Sequence, residues 1–368
     1  MNEKITDKQA TSIIVLSILG SSVVLGTARS AKADAWISII IALIISLIIT
    51  LCHARLLNNF YGKNYFEICE IVFGKVFGKI FIIMYIGYAL FINALIIRDI
   101  GEFIYLAGIV NIREISQLFT MTVMMLLCIH MAKKNIGVLG MFCTFFLPVV
   151  VFMISIGYML SINNMSPRNL LPVMYDGIRP VIEGIFYSIS FPFTETIVFM
   201  MIFNLQKSKK STTKIFTKGI LLAGLFLLII AILDTMILGT NIQSMSYFPS
   251  YASLRRIDIG NFIERIEITI ILSFIFSVFV KSTCYLIGAS KGITHLFNLK
   301  NYTFISTPVG LLVVIISYIL YENAKESVET MQFDIWVGII FQVILFFIIF
   351  IGAEIKIRKN KGTNKGQL

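Results

Sequence analysis

Charged side chains are scarce in this chain, and their scarcity excludes a soluble fold. Only 14% of the 368 residues are Asp, Glu, Lys or Arg, against about 25% in soluble domains. Hydrophobic residues make up 57% of the chain, and the mean hydropathy is +0.88. No long polar stretch separates the apolar runs, so the sequence leaves no room for a separate soluble domain.

Motifs for catalysis, nucleotide binding and metal binding are also missing. There is no phosphate-binding glycine-rich loop, no HExxH zinc motif and no recognisable nucleophile triad. The five cysteines form no CxxC pair and the three histidines are scattered, so neither a metal site nor a cofactor is expected. These absences predict a protein that is not an enzyme.

Apolar runs long enough to cross a bilayer, about 20 residues each, dominate the sequence. Ten are predicted, at about 9–29, 35–55, 79–105, 115–132, 138–160, 181–204, 214–238, 260–296, 304–321 and 334–355. The run at 260–296 is long enough for one tilted helix or for two segments. The expected fold is therefore all-α and integral to the membrane, with residues 1–368 forming one polytopic domain.

Lysine and arginine are distributed unevenly between the two sides of the predicted membrane. With the N-terminus placed in the cytosol, 20 of the 31 basic residues lie on that side, eight lie on the other and three lie within spans. This bias predicts that both termini are cytosolic. The basic tail, residues 356–368, is expected to contact anionic membrane lipid, and the net charge of +11 requires no nucleic-acid partner.

Two of the predicted spans contain residues that interrupt a membrane helix. Small residues at Gly20, Ser21 and Ser22 lie near the middle of the first span. In the sixth span, Pro192 removes a backbone donor, and Glu195 places a carboxylate where contact with lipid is costly. Such breaks are tolerated where the backbone opens onto a polar cavity. The alternatives are close helix packing through Gly20 and bracing of the broken helix by Glu195.

Ten spans divide into two sets of five, and the odd number makes the second set enter the membrane from the opposite side. This is the condition for an inverted repeat, with repeat one at about 9–160 and repeat two at about 181–355. The breaks in spans one and six fall at equivalent places. The sequence therefore predicts a 5+5 fold with broken helices 1 and 6.

The two breaks predict a site for a small ligand. Opened backbone N–H groups near the first break favour an anionic group such as a carboxylate. Aromatic residues of span six line the pocket or simply pack, and one face of span three is expected to touch it. The candidate ligand-binding residues are Gly20, Ser21, Ser22, Tyr88, Ile92, Phe191, Phe193, Thr194 and Glu195.

Three further charged residues within spans are candidates for ion pairs or gating. Arg98 and Glu102 are four residues apart, so they share a helix face and can pair; a structural pair is favoured, and an outer gate is the alternative. Lys281 must snorkel, lose its proton or pair. Snorkelling to the cytosolic interface is the simpler interpretation. Alternatively, its ammonium replaces the bound cation of ion-coupled transporters.

Two segments between spans have their own predictions. Apolar residues on one face of residues 64–74 predict a short interfacial helix, after which Gly74 to Lys79 turn the chain into span three. Residues 239–259 are predicted to form a long loop, which either caps a cavity or only connects two spans.

Several motifs, in this order along the chain, resemble the spore germination protein B family, the GerAB and GerKB type of B subunit. They are Leu19-Gly20-Ser-Ser, the Gly74-Lys75-x-x-Gly78 turn, Arg98-x-x-x-Glu102, Asn169-Leu-Leu-Pro-Val173, Phe191-Pro-Phe-Thr-Glu195 and Phe262-Ile-Glu-Arg265. The resemblance implies a LeuT-type fold of the amino acid–polyamine–organocation superfamily. It also implies the spore inner membrane, and a receptor completed by an A subunit and a lipoprotein C subunit. Thr194 stands where the family often has Gly.

From these features the favoured function is an amino-acid-sensing membrane subunit that signals germination. The alternative is a proton-coupled amino acid secondary transporter, with Glu195 or Lys281 carrying the proton. A passive scaffold for an ion channel is a third class, and it predicts no saturable ligand binding.

Overall fold

The fold is given by a computed structural model that describes residues 5–106, 117–203, 209–256, 265–322, 326 and 330–365. The secondary-structure elements of this described part are all helices, with no strand. The helices in chain order are α1 (Asp7–Leu19), α2 (Ser22–Leu25), α3 (Ala35–Asn59), α4 (Tyr65–Leu106), α5 (Gln117–Ala132), α6 (Ile136–Leu160), α7 (Ile178–Ser190), α8 (Ile197–Ile202), α9 (Lys209–Met245), α10 (Pro249–Arg255), α11 (Ile268–Leu296), α12 (Tyr302–Ile319), α13 (Met331–Ile339) and α14 (Leu345–Lys365).

Eight helical segments in the described ranges are long and apolar enough to cross a membrane. Two of the ten predicted spans are not among them. The first span is divided, because α1 stops at Leu19 and α2 has only 4 residues. The fourth span corresponds to α5, which has 16 residues, and its predicted start at 115–116 lies outside the described residues. The chain is a multi-pass helical membrane protein.

The predicted short helix and turn before span three are confirmed, and the interfacial position of that helix stays a prediction. A short helix starts at Tyr65, after Asn64 and Glu67 cap each other reciprocally with two backbone-to-side-chain hydrogen bonds of 2.8 Å. It ends at Gly74, where φ is 79°. At Gly78 an added Cβ would lie 2.6 Å from the Glu70 Cα, so the tight turn requires glycine there.

The predicted loop at 239–259 is partly wrong, because most of its described residues are helical. Helix α9 kinks at Gly239, with φ 70°, and continues to Met245, and α10 covers Pro249–Arg255. Residues 257–259, and residues 260–264 at the predicted start of the next span, lie outside the described residues, as does most of the Phe262–Arg265 motif. From Ile268 onward that span is one helix, α11, rather than two.

Helices α1 and α11 form the centre of the bundle. Residues Ile13, Ile14 and Leu16 of α1 are completely buried, and α11 packs against α1, α4, α5, α6 and α12. Helix α3 instead leaves Ile44 and Ile48 more than half exposed, which is expected of a surface that faces lipid. The two broken segments, α1 to α2 and α7 to α8, therefore lie inside the protein, where freed backbone groups can find partners.

Candidate ligand-binding cavity

The first predicted break is confirmed. Helix α1 ends at Leu19, and Gly20 has φ 19° and ψ −128°, which no helix allows. The Ser22 hydroxyl lies 2.6 Å from the Ile18 carbonyl oxygen and 2.8 Å from that of Leu19, so it donates to both oxygens that the break frees. The Ser21 hydroxyl is buried and has no hydrogen-bond partner in the described part of the chain.

The second predicted break is confirmed as well. Helix α7 ends at Ser190, and a 3₁₀ turn at Phe193–Thr196 leads into α8. Pro192 has no N–H to donate, so the α-helical hydrogen-bond pattern cannot continue through it. The Thr194 hydroxyl lies 2.7 Å from the Ile189 carbonyl oxygen, which the break leaves free. Thus both interruptions are held open by local hydroxyl groups.

A buried ion pair connects the second break to the central helix. Lys281 Nζ lies 2.6 Å from Glu195 Oε2, and the two side chains are 0% and 6% exposed. The ammonium also lies 4.5 Å from the centre of the Phe191 ring. The predicted snorkelling of Lys281 is wrong, because Lys281 lies mid-way along α11, about 20 Å from either end, and points inward to Glu195.

Gly20 has a different role from the one that its position in the break suggests. An added Cβ there would collide with the Lys281 side chain. The absence of a side chain at Gly20 therefore gives Lys281 its path to Glu195. Sequence reasoning placed a ligand carboxylate at this backbone, whereas the structure places a lysine stem against it.

An internal cavity of about 120 Å³ lies beside the ion pair. One water needs about 10–15 Å³ of such space, so the cavity has room for a small molecule and several waters. It is lined by Leu25, Arg29, Ile92, Leu95, Ile96, Asp99, Glu102, Tyr187, Ser190, Phe191, Glu195, Tyr247, Phe248, Lys281, Met331, Asp334, Ile335 and Gln342.

The predicted site residues divide into lining and supporting positions. Those that line the cavity are Ile92, Glu102, Phe191, Glu195 and Lys281. Those that do not line it are Gly20, Ser21, Ser22, Tyr88, Arg98, Phe193 and Thr194. The predicted Arg98–Glu102 pair is confirmed, with Nε 2.8 Å from Oε1 and both side chains nearly buried.

Gln342 is a lining residue that sequence reasoning missed. Its side chain is 1% exposed, and its amide bonds the hydroxyl groups of Tyr88 and Thr194. It lies in a π-helical turn, Ile340–Ile344, between α13 and α14. Such turns are common at functional sites. In the sequence, Gln342 is a lone amide in a long apolar run, and this feature could have indicated a buried polar site.

Three charged lining residues were also missed as members of the site. Arg29 donates to the Ser246 carbonyl oxygen. Asp334 Oδ2 accepts from the Tyr321 hydroxyl at 2.9 Å, whereas its Oδ1 is buried with no partner among the described residues. Asp99 has no cation within ion-pair distance in the same part of the chain. The cavity therefore presents charges that its own residues do not pair.

These features define a multi-pass membrane protein with an internal, charged site between two broken helices. The chain belongs to the spore germination protein family, whose sequence profile matches residues 4–327. It is 25% identical to spore germination protein KB of Bacillus subtilis over 369 residues, covering 99% of this chain and 98% of the relative. It is 27% identical to YndE over 86% of each chain, and 23% identical to spore germination protein A2 over 98% of each, both from the same organism.

Proposed function

We propose that this protein is the nutrient-sensing membrane subunit of a spore germinant receptor, and that an amino acid binds in the cavity beside Glu195 and Lys281. The observation that carries the proposal is a cavity with carboxylates, a guanidinium and an ammonium on its walls, between two broken helices. Buried charges are costly unless they are paired, so an ionic ligand is the chemistry such walls suit.

Binding would act by shifting a conformational equilibrium. A zwitterion brings both an ammonium and a carboxylate into the cavity beside the Glu195–Lys281 pair, and its charges change the electrostatic field at that pair. A ligand shifts the equilibrium only by its differential affinity for the two arrangements of the broken helices. In this proposal the shift passes to an A subunit and a lipoprotein C subunit, and no cofactor or enzymatic step is involved.

The membrane arrangement is part of the same proposal. It comprises ten spans in one domain, a LeuT-type inverted repeat of about 9–160 and about 181–355, cytosolic termini and the spore inner membrane. The positive-inside bias of Lys and Arg supports the orientation. The matched breaks at Gly20 and Pro192 support the repeat.

The proposal is tested by deleting this gene and exposing the spores to single amino acids. Germination is followed by the fall in optical density, and a complemented strain is the control. Loss of response to one or a few amino acids, restored by the wild-type gene, is the expected result. Unchanged responses to every amino acid would contradict the proposal.

The alternative function is proton-coupled amino acid transport. The observation that favours it is the carboxylate–lysine pair itself, because a buried pair of this kind can exchange a proton when a ligand separates its members. Proteoliposomes that contain this subunit alone separate the two functions. Concentrative uptake of labelled amino acid driven by a pH gradient would favour the transporter, and binding without uptake favours the sensor.

A further inference from the structure

The charges on the cavity wall do not balance, and the imbalance indicates which ligand fits. Six charged side chains line the cavity: Arg29, Asp99, Glu102, Glu195, Lys281 and Asp334. Three of them are neutralised by ion pairs: Glu195 and Lys281 neutralise each other, and Glu102 is neutralised by Arg98. Three lining charges are left over in the described part of the chain, namely one guanidinium and two carboxylates.

The leftover guanidinium belongs to Arg29. Arg29 precedes α3, and its side chain donates to the carbonyl oxygen of Ser246, next to the lining residues Tyr247 and Phe248. It has no carboxylate within ion-pair distance among the described residues. A guanidinium offers five donors, and one backbone oxygen does not occupy them all. Arg29 is therefore suited to hold a ligand carboxylate.

The two leftover carboxylates come from different helices. Asp99 lies on α4 directly after Arg98, but it is not part of the Arg98–Glu102 pair. Asp334 lies on α13, with one oxygen bonded to the Tyr321 hydroxyl and the other buried without a partner. A buried carboxylate oxygen without a donor is unfavourable. Each carboxylate is therefore suited to accept from a ligand cation.

Together with the proposed function, on which it rests, this arrangement leads us to infer that the ligand is a basic amino acid with two ammonium groups and one carboxylate. The carboxylate binds Arg29, and the two ammonium groups bind Asp99 and Asp334. A neutral amino acid leaves one of these carboxylates uncompensated. A diamine leaves Arg29 uncompensated.

The experiment titrates the purified full-length protein in nanodiscs by calorimetry. Four probes are used: L-lysine, L-norleucine, cadaverine and potassium chloride. Norleucine keeps the chain but lacks the second ammonium, and cadaverine lacks the carboxylate. We expect L-lysine to bind roughly 10- to 100-fold more tightly than either organic probe, because a hydrogen bond to a charged group is lost with each. Potassium chloride alone should release no binding heat.

The variants assign each charge to its part of the ligand. Asp334→Asn should weaken lysine binding by roughly 10- to 100-fold and so remove the preference for lysine over norleucine. Arg29→Gln should weaken lysine binding and spare cadaverine. Asp176→Asn is the matched control, because Asp176 is an exposed carboxylate paired with Lys32, and it should change nothing. Asp99→Asn gives a second carboxylate variant if Asp334→Asn does not accumulate in the membrane.

The outcomes separate this inference from the proposed function. Norleucine binding as tight as lysine, or an Asp334→Asn protein that still prefers lysine, overturns the basic-ligand inference and leaves the sensor intact. Binding of potassium alone, abolished by Asp334→Asn, overturns it in favour of an inorganic cation. If no amino acid binds and deletion of the gene changes no germination response, the proposed function fails as well.

Discussion

Lys281 of α11 and Glu195 of the turn before α8 form an ion pair with Nζ 2.6 Å from Oε2 in the interior of the bundle. They lie far apart in the sequence, so only tertiary packing brings them together. Both are buried, and neither has another charged side chain within ion-pair distance in the part of the chain that the structure describes. The pair therefore couples the broken helix directly to the central helix.

Breaking this pair from one side should be more damaging than removing it entirely. Glu195→Gln leaves a buried, uncompensated ammonium, which costs about 3–5 kcal/mol of folding stability. Adding Lys281→Met to the same chain removes the unpaired charge and should recover part of that loss. Denaturant unfolding in detergent and the germination dose response measure both effects. If Glu195→Gln alone is as stable and as responsive as the wild type, the Glu195–Lys281 pair contributes neither to folding stability nor to the germination response.

Gly20→Ala should disturb the same pair from its other side. The added Cβ meets the Lys281 side chain and must displace it. We expect the nutrient concentration for half-maximal germination to rise, while the protein still reaches the membrane. Gly87→Ala is the matched control, since Gly87 lies in a helix with open space around it. The larger Gly20→Trp should abolish the response. Wild-type sensitivity in the Gly20→Ala strain would contradict a role of the first break in sensing the nutrient.

Gln342→Leu should uncouple the last span from the cavity. The substitution removes the amide that bonds the hydroxyls of Thr194 and Tyr88, and it leaves both of them buried. The Thr194 hydroxyl keeps its bond to the Ile189 carbonyl oxygen, whereas the Tyr88 hydroxyl loses its Gln342 partner, which costs about 1–3 kcal/mol. A reduced maximal germination rate, together with lower thermal stability, is the expected result. Gln332→Leu, at an exposed position of α13, controls for the change in composition.

Asp234→Asn should loosen one wall of the cavity. The Asp234 carboxylate accepts from the hydroxyls of Tyr158, Ser250 and Ser253 at 2.6 to 2.7 Å, which fastens α10 to α9. Tyr247 and Phe248, just before α10, line the cavity. We expect faster proteolysis within residues 246–256 and weaker nutrient sensitivity. Glu183→Gln, at an exposed ion pair, is the control. Equal protease resistance of the wild type and Asp234→Asn would contradict this role.

Local features of the fold were predictable from the sequence. Pro192 and the small residues at Gly20 to Ser22 locate the breaks, because each acts on its own helix. The Arg98–Glu102 pair follows from a spacing of four residues on one helix. The partner of Lys281 did not follow, since no local pattern connects α11 to a residue in the turn before α8.

The walls of the cavity were the part that sequence alone did not provide. Arg29 precedes α3, whereas Asp334 and Gln342 lie in the last span, and each is an ordinary polar residue near the end or inside an apolar run. Their importance arises from the space they share. Conversely, Ser21 and Phe193 carry convincing local patterns and yet do not line that space.

Filling the cavity tests the central claim most directly. Ile92 of α4 lines the cavity and is 7% exposed, whereas Ile83 of the same helix is 55% exposed on the outer surface of the bundle. Binding of labelled amino acid is measured on Ile92→Trp and Ile83→Trp proteins that reach the membrane in equal amounts. We predict that Ile92→Trp abolishes saturable binding and that Ile83→Trp binds as the wild type does. Undiminished binding by Ile92→Trp would show that the nutrient does not occupy this cavity.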